Sequence, residues 1–390
     1  MKLKEVSAQS IFDSRKEKTI LVSINTNVGS FSASAPNGKS TGKYEKKPYK
    51  KNLEEDIESL KEISDYFSDE DFFEFDDLKK IEEIAKGQIG ANTLFALESC
   101  VLKAISKEKN KKVWQVINEK AKKFPRLIGN CVGGGKHSMD IEGKKPDFQE
   151  FLIIPKKEKI EKQWLVMKEV KKRTEELLKK KDENFKSSKN DEDAWQTSLN
   201  EKEIFDILSG LKVKFNFEIG VDIASSEFYK RKKYDYQNPK LDRTAEEQFF
   251  YLCNLIKNFG LFYVEDPFDE EDFDSFSKLL KKFPDCLIVG DDLSVTNFSK
   301  LEKAIEKKSI NALIIKPNQI GSLIEVRKVC ELAKKNSIKI VFSHRSGETE
   351  EDILADLAFG FGADFFKCGI TGKEREAKIQ RIIEIEQGLK

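Results

Sequence analysis

Residues 261–318 read LFYVEDPFDEEDFDSFSKLLKKFPDCLIVGDDLSVTNFSKLEKAIEKKSINALIIKPN. Three short apolar runs, LFYVEDP, LIVGDDL and ALIIKPN, alternate with charged stretches of helical length such as FSKLEKAIEKK. An apolar run without alternation suits a strand buried on both faces, which a parallel sheet covered by helices provides. The rhythm extends in both directions. LIGNCV, FQEFLIIP and FNFEIGVDI precede this stretch, and IKIVFSH and ADFFKCG follow it, making eight runs. Amphipathic segments such as TAEEQFFYLCNLIKNF and LIEVRKVCELAKKN separate most of them. Eight buried strands alternating with helices predict a parallel (β/α)8 barrel. A doubly wound sheet would ask for a Gly-rich turn after its first strand, and none is evident.

The start of the chain differs. From Leu3 to about Asn27 apolar and polar residues alternate, as in TILVSINT, which predicts half-buried antiparallel strands. Between Leu53 and about Lys120 the period turns helical, as in LEEDIESLKEISDYF and NTLFALESCVLKAISKE. The expected fold class is therefore α/β: a TIM-like barrel over residues 124–390, preceded by a smaller α+β domain over residues 1–123. The lysine-rich segment Lys156–Asn200 is expected to hold one long helix and then an exposed loop.

Composition narrows the function. Of 390 residues, 70 are Lys or Arg and 69 are Asp or Glu, a formal net charge of +1. That balance argues against a nucleic-acid binder, which needs a basic excess. The N-terminus MKLKEVSAQS shows no apolar signal region, and no run approaches membrane-spanning length, so a cytoplasmic protein without a membrane role is expected. Six cysteines are scattered with no CxxC spacing and read as reduced core fillers.

Most of the later apolar runs end in a polar residue: Asp222, Glu265, Asp291, Lys316, His344 and Lys367. In a barrel these ends converge on the C-terminal mouth, where such folds carry their sites. Three carboxylates on one polar floor repel one another unless a cation lies between them. Hard oxygen donors without a Cys/His cluster select Mg²⁺ over Zn²⁺. The competing reading pairs these acids with Lys316, Lys367 and Arg345. Each lysine is open to two readings, a base with a depressed pKa or a structural ion pair. His344 stands beside Arg345 and Ser346, a combination suited to an anion such as phosphate. His137, the other histidine of the chain, follows a strand in GGGKHS.

The loop ASAPNGKSTGK, residues 33–43, imitates the tail of a phosphate-binding P-loop. A P-loop needs a helix directly after its Lys-Ser. Here Gly42 and Pro48 interrupt any helix, and no apolar stripe follows before Leu53, so a P-loop kinase is set aside. Gly38 and Gly42 read better as hinges of a lid.

Together these stretches resemble the enolase family, the phosphopyruvate hydratases, along nearly the whole chain. SIFDSRKEKTILVSINT resembles the family's opening strands around DSR, and APNGKSTGKYE its mobile Ser-Thr-Gly loop. GVDIASSEFY, VEDPFDEEDF, IVGDDLSVTN, ALIIKPNQIGSLIEV, SHRSGETEEDILADLAFG and KIQRIIEIEQGL follow in family order. The resemblance implies Mg²⁺-dependent interconversion of 2-phosphoglycerate and phosphoenolpyruvate, with two Mg²⁺ ions per site and a small phosphorylated carboxylate as substrate. It implies Asp222, Glu265 and Asp291 as ligands of the first Mg²⁺ and Ser40 as a ligand of the second. It further implies Lys316 as general base, Lys367 at the substrate carboxylate, Arg345 and Ser346 at the phosphate, and His344 among the substrate-binding residues. Glu150 would stand near the leaving hydroxyl, and His137 would close over the substrate. Glu192, in NDEDAWQTSLNEKEIFDIL, would be the second catalytic glutamate, with Asp182-Glu183 as the alternative placement. Repulsion from Glu150 is expected to keep Glu192 protonated as the acid, and nearby cations to lower the pKa of Lys316. The family also suggests a homodimer.

The departures fall in the loops. Glu192-Asp193-Ala194 stands where the family has a glycine pair after its Glu, and Lys39 replaces a small residue beside Ser40. DSRKEK lacks the family's Gly-Asn-Pro. The link from His137 to Glu150 is longer, and KCGITGKEREAK replaces a proline-containing turn. Two alternatives stay open: a superfamily enzyme acting on another carboxylate, and a catalytically weak paralogue serving as a binding or scaffold protein.

Overall fold

The computed structural model describes residues 1–39, 42–139 and 143–389. At the N-terminus β1 (Leu3–Phe12), β2 (Lys18–Thr26) and β3 (Gly29–Ser34) form an antiparallel sheet in chain order. The alternation seen in the sequence is the reason: Ile20, Val22 and Ile24 are buried on one face. Four helices follow, α1 (Leu53–Glu62), α2 (Leu78–Ala85), α3 (Ala91–Glu108) and α4 (Val113–Asn118). The central helix α3 packs on β2 and β3. It starts at Gly90, where a Cβ would lie 2.3 Å from the Tyr49 backbone.

The chain then builds a barrel. Its elements are β4 (Arg126–Gly133), β5 (Glu150–Pro155), α5 (Ile160–Lys181), β6 (Trp195–Gln196), α6 (Glu201–Phe215) and β7 (Phe217–Asp222). A small antiparallel sheet, β8 (Tyr229–Lys230), β9 (Lys233–Gln237) and β10 (Lys240–Arg243), precedes α7 (Ala245–Phe259). Next come β11 (Tyr263–Glu265), α8 (Phe273–Lys282), β12 (Leu287–Gly290), α9 (Phe298–Lys307) and β13 (Ala312–Ile315). The chain ends with α10 (Pro317–Ile320), α11 (Leu323–Lys335), β14 (Lys339–Ser343), α12 (Ile353–Gly360), β15 (Phe365–Lys367) and α13 (Lys373–Gly388). The strand order is β15-β14-β13-β12-β11-β7-β5-β4, and β15 pairs back onto β4 to close the ring. The expected α/β barrel behind an α+β domain is present.

One expectation is corrected. The barrel is not wholly parallel, because β5 runs antiparallel to both β4 and β7. Among its described residues, the connector from β4 to β5 holds a short 3-10 turn at Gly135–His137 and no crossover helix. Without a crossover the chain stays at the mouth, and β5 starts there. Two helices, α5 and α6, then follow with only the short β6 between them.

A second correction concerns Lys156–Asn200. The long helix is α5, but the segment after it is not an exposed loop: Glu192, Ala194, Trp195, Gln196 and Thr197 are buried. β6 pairs with β4, and the Trp195 ring packs edge-on against Phe185.

Period-two geometry separates two cores. Ile128, Leu152, Ile154, Tyr263, Leu287, Val289, Ala312, Ile314, Val341 and Phe365 fill the inside of the barrel. The alternate residues, among them Leu127, Ile153, Val264, Ile288, Leu313, Ile340 and Phe366, pack outward against the helices. All six cysteines are buried free thiols.

Candidate active site

The same parity places the site. Asn130, Glu150, Glu265, Asp291, Lys316, Ser343 and Lys367 each stand two residues from an inward-facing core residue, so their side chains continue the inner face into the mouth. Antiparallel β5 explains Glu150: it is the first residue of its strand, yet it pairs with Asp222, the last residue of β7. Asp222 in turn pairs with Glu265 at the end of β11.

At the centre lies Lys367. Its Nζ donates to Asp222 Oδ2 at 3.0 Å and to both oxygens of Glu265 at 2.9 Å, and lies 3.3 Å from Glu150 Oε2. Burial alone would favour the neutral amine. Asp222, Glu150 and Glu265 outweigh it and hold this ammonium well above the usual lysine range. Glu265 also accepts a hydrogen bond from the Tyr263 hydroxyl at 2.5 Å. Burial and repulsion from Asp222 push its carboxyl up to about 8, against the pull of Lys367. Lys316 donates to Asp291 Oδ2. Burial, Arg345 and Lys367 act to lower the Lys316 pKa, but the contact with Asp291 prevails and raises it.

Glu192 reaches the same cleft from the turn before β6. Asn130 Nδ2 donates to its Oε2 at 2.9 Å, and His137 Nδ1 and His344 Nε2 lie 3.3 Å and 3.8 Å from its Oε1. Burial favours the protonated acid. His344, His137 and Arg375 outweigh it and hold Glu192 well below the carboxylate range. Glu150 is the reverse: burial and repulsion from Glu192 push it well above. Burial holds the His344 imidazole itself well below its usual range, so Glu192 and Glu150 form one buried carboxyl pair beside it. Glu192 and these neighbours exchange charge as one group rather than as independent sites. The alternative Asp182-Glu183 is excluded: Asp182 accepts from Thr197 and Ser198, and Glu183 is exposed.

Arg345 and Ser346 border the cleft but already have partners. The Arg345 guanidinium is bidentate on Glu45, at 2.8 Å and 3.2 Å, and Ser346 Oγ accepts from the Lys39 backbone at 2.9 Å and Arg15 Nη1 at 3.0 Å. Lys39 stands at the rim of the cleft, and its Nζ meets Asp191 Oδ2 at 2.6 Å. Ser40 lies outside the described residues. Gly38, Glu150, Glu192, Lys316, His344 and Lys367 are among the walls of the cleft.

Oxygen donors suited to a hard cation are present. The side chains of Glu150, Asp222, Glu265 and Asp291 outnumber the ammonium groups of Lys316 and Lys367, and Asp291 Oδ1 is buried without a hydrogen-bond partner. Among the described residues, two groups bring ligand atoms within 4.8 Å of one another, His137-Glu150-Glu192 and Asp266-Asp291-Asp292. Asp222 and Glu265 are instead joined through Lys367, and Asp291 is turned toward Lys316.

Several side chains here carry no signal in the sequence. Arg375 on α13 donates to the Asp191 and Ser346 carbonyls at 3.0 Å, and Lys378 lies 2.9 Å from Glu348. Lys171 belongs with them. Each stands in a charged stretch, where one buried charge looks like its solvated neighbours.

Residues 121–390 match the family model described as enolase, C-terminal TIM barrel domain. The chain is 35% identical to the enolase of Methanosphaera stadtmanae, covering 99% of this chain and 97% of that one. It is 34% identical to the enolase of Methanothermobacter thermautotrophicus, over 99% of this chain and 96% of that one. It is 40% identical to the enolase of Pyrobaculum aerophilum over 68% of this chain and 64% of that one. With this barrel, this mouth and relatives matched from end to end, the chain belongs to the enolase family, which are hydro-lyases.

Proposed function

We propose that the chain catalyses the reversible dehydration of 2-phosphoglycerate to phosphoenolpyruvate, with Lys316 as the base at carbon 2. The observation that carries this is one cleft with Lys316 on one wall and the Glu150–Glu192 pair on another. Such a reaction needs a base for a carbon-bound proton and an acid for a poor leaving group on opposite sides of one substrate.

Lys316 is held protonated chiefly by Asp291. A ligand that takes up the Asp291 charge moves Lys316 toward the free amine that abstraction requires. The leaving hydroxyl takes its proton from the buried Glu150–Glu192 pair at the cleft wall. Lys367 meets the substrate carboxylate, Arg345 and Ser346 the phosphate, and His137 and His344 line the cleft. Asp222, Glu265 and Asp291 are the residues to hold a divalent cation, Mg²⁺ by their hard oxygen chemistry. Ser40 would join a second ion. Bound there, Mg²⁺ offsets the negative charge that builds on the substrate carboxylate, the pairing of a side-chain base with one or two Mg²⁺ ions that is general to this superfamily.

No helix of the described residues is long and apolar enough to cross a membrane. A cytoplasmic homodimer is part of the same reading.

Exchange of the carbon-2 hydrogen with deuterated solvent tests the base. Lys316→Ala, folded and loaded with Mg²⁺, is expected to lose this exchange. Exchange at the unmodified rate would remove Lys316 from the role.

A further inference from the structure

Glu192 sits on a turn that Asn190 ties to itself. The Asn190 N–H donates to the Ala194 carbonyl at 2.9 Å, and Asn190 Oδ1 accepts from the N–H groups of Glu192 at 3.0 Å and Ala194 at 2.9 Å. The next residue, Asp193, has φ of +63°, a conformation that favours glycine. Beneath it lies Lys171 of α5, only 4% exposed. Its ammonium donates to the Asp193 carbonyl, to Asp193 Oδ2 at 2.8 Å and to Thr371 Oγ1, while Thr371 also donates to Asp193 Oδ2. Trp195 Nε1, on the far side of the turn, donates to the Lys171 carbonyl at 2.9 Å. Two stretches set apart by the sequence, Glu192-Asp193-Ala194 and GITGK, thus meet on one lysine.

We infer that Lys171 is a positioning residue for this reaction: it clamps the left-handed Asp193 turn to Thr371 and so presents Glu192 to the cleft. The inference rests on the catalytic role proposed for Glu192. A buried ammonium carries a desolvation penalty that an apolar side chain of equal length avoids. What the ammonium supplies is a set of directed bonds, all to the Asp193 turn and the Thr371 segment beside it. Asp193 also has Lys189, 2.8 Å away at its other oxygen, so removing Lys171 leaves the carboxylate paired. The expected consequence is misplacement of Glu192 rather than loss of the fold.

Steady-state kinetics with 2-phosphoglycerate and Mg²⁺ test this. Lys171→Met is expected to lower kcat about tenfold or more with KM changed less than about twofold, since a small displacement of a reacting group is enough for that. Asp193→Gly alone keeps near-normal kcat, because glycine adopts this φ unaided. The double variant Lys171→Met/Asp193→Gly recovers most of the loss. On a Glu192→Gln background, Lys171→Met adds no further loss. If Lys171→Met does not fold, as judged by circular dichroism, Thr371→Val carries the same test with a loss of about threefold or more in kcat. Unchanged kcat in Lys171→Met, or an equal loss on the Glu192→Gln background, overturns the clamp. Full turnover in Glu192→Gln would instead overturn the role given to Glu192, and the inference with it.

Discussion

Lys367 occupies the place where Glu150, Asp222 and Glu265 converge, and it is almost wholly buried there. Removing the ammonium leaves Asp222 without its buried partner and takes a donor from both oxygens of Glu265. Lys367→Met is expected to destabilise the metal-free protein by about 3–5 kcal/mol, the usual range for breaking a buried ion pair from one side. Mg²⁺ should restore part of that loss by taking the vacated charge. Urea unfolding in EDTA and in Mg²⁺ measures both, and a variant as stable as the parent in EDTA would refute this charge balance. At this scale the sequence was informative where a polar residue closes an apolar run, because period two then points it inward. It was silent about the buried places of Lys171 and Arg375. In a chain with 139 charged side chains, 70 basic and 69 acidic, nothing local distinguishes a buried cation from a solvated one. The two imidazoles beside Glu192 were hidden for a related reason: they come from segments distant in the chain.

Strand and turn geometry then decides which side chains meet. Gly133 closes β4, and a Cβ there would lie 2.1 Å from Asn190 Nδ2. Asn190 cannot simply swing away, since its Oδ1 holds the Glu192 turn. Gly133→Ala is therefore expected to lower kcat about tenfold or more while the protein stays folded. Steady-state kinetics decide it, and an unchanged kcat would show that the turn tolerates the shift. At the start of α6, Glu201 is buried and accepts from the Asp147 N–H at 2.7 Å. Burial and repulsion from Asp147 push its carboxyl up to about 7. Its folded value lies above the unfolded one, so its stabilising contribution is present below the ordinary carboxyl range and lost as pH rises through about 7. Glu201→Gln removes the charge, and should stabilise the protein by about 2 kcal/mol more at pH 8 than at pH 5. Equal effects at both pH values in urea unfolding would contradict this. Helices and strands were legible from their periods, but the direction of β5 was not. Antiparallel and parallel buried strands have the same apolar pattern, and what distinguishes β5 is a connector before Glu150 whose described residues hold a short 3-10 turn instead of a crossover helix.

Across the whole molecule, the N-terminal domain completes the mouth of the barrel. Asn37 and Gly347 exchange backbone hydrogen bonds of 2.7 Å and 2.9 Å, Lys39 donates to Ser346, and Glu45 grips Arg345. The order of motifs along the chain revealed both parts and their family. The contacts between them were hidden, because they join residues some 300 positions apart that share no local pattern. The loop read as a P-loop imitation in fact ends one of these contacts, with Lys39 on Asp191. All of these contacts serve a mouth that must remove water from 2-phosphoglycerate. The most direct test is the ultraviolet absorbance of phosphoenolpyruvate formed by the purified protein from 2-phosphoglycerate in Mg²⁺. A steady rise is expected, abolished by EDTA and restored by added Mg²⁺. A folded protein that binds Mg²⁺ yet forms no phosphoenolpyruvate would contradict the proposed function.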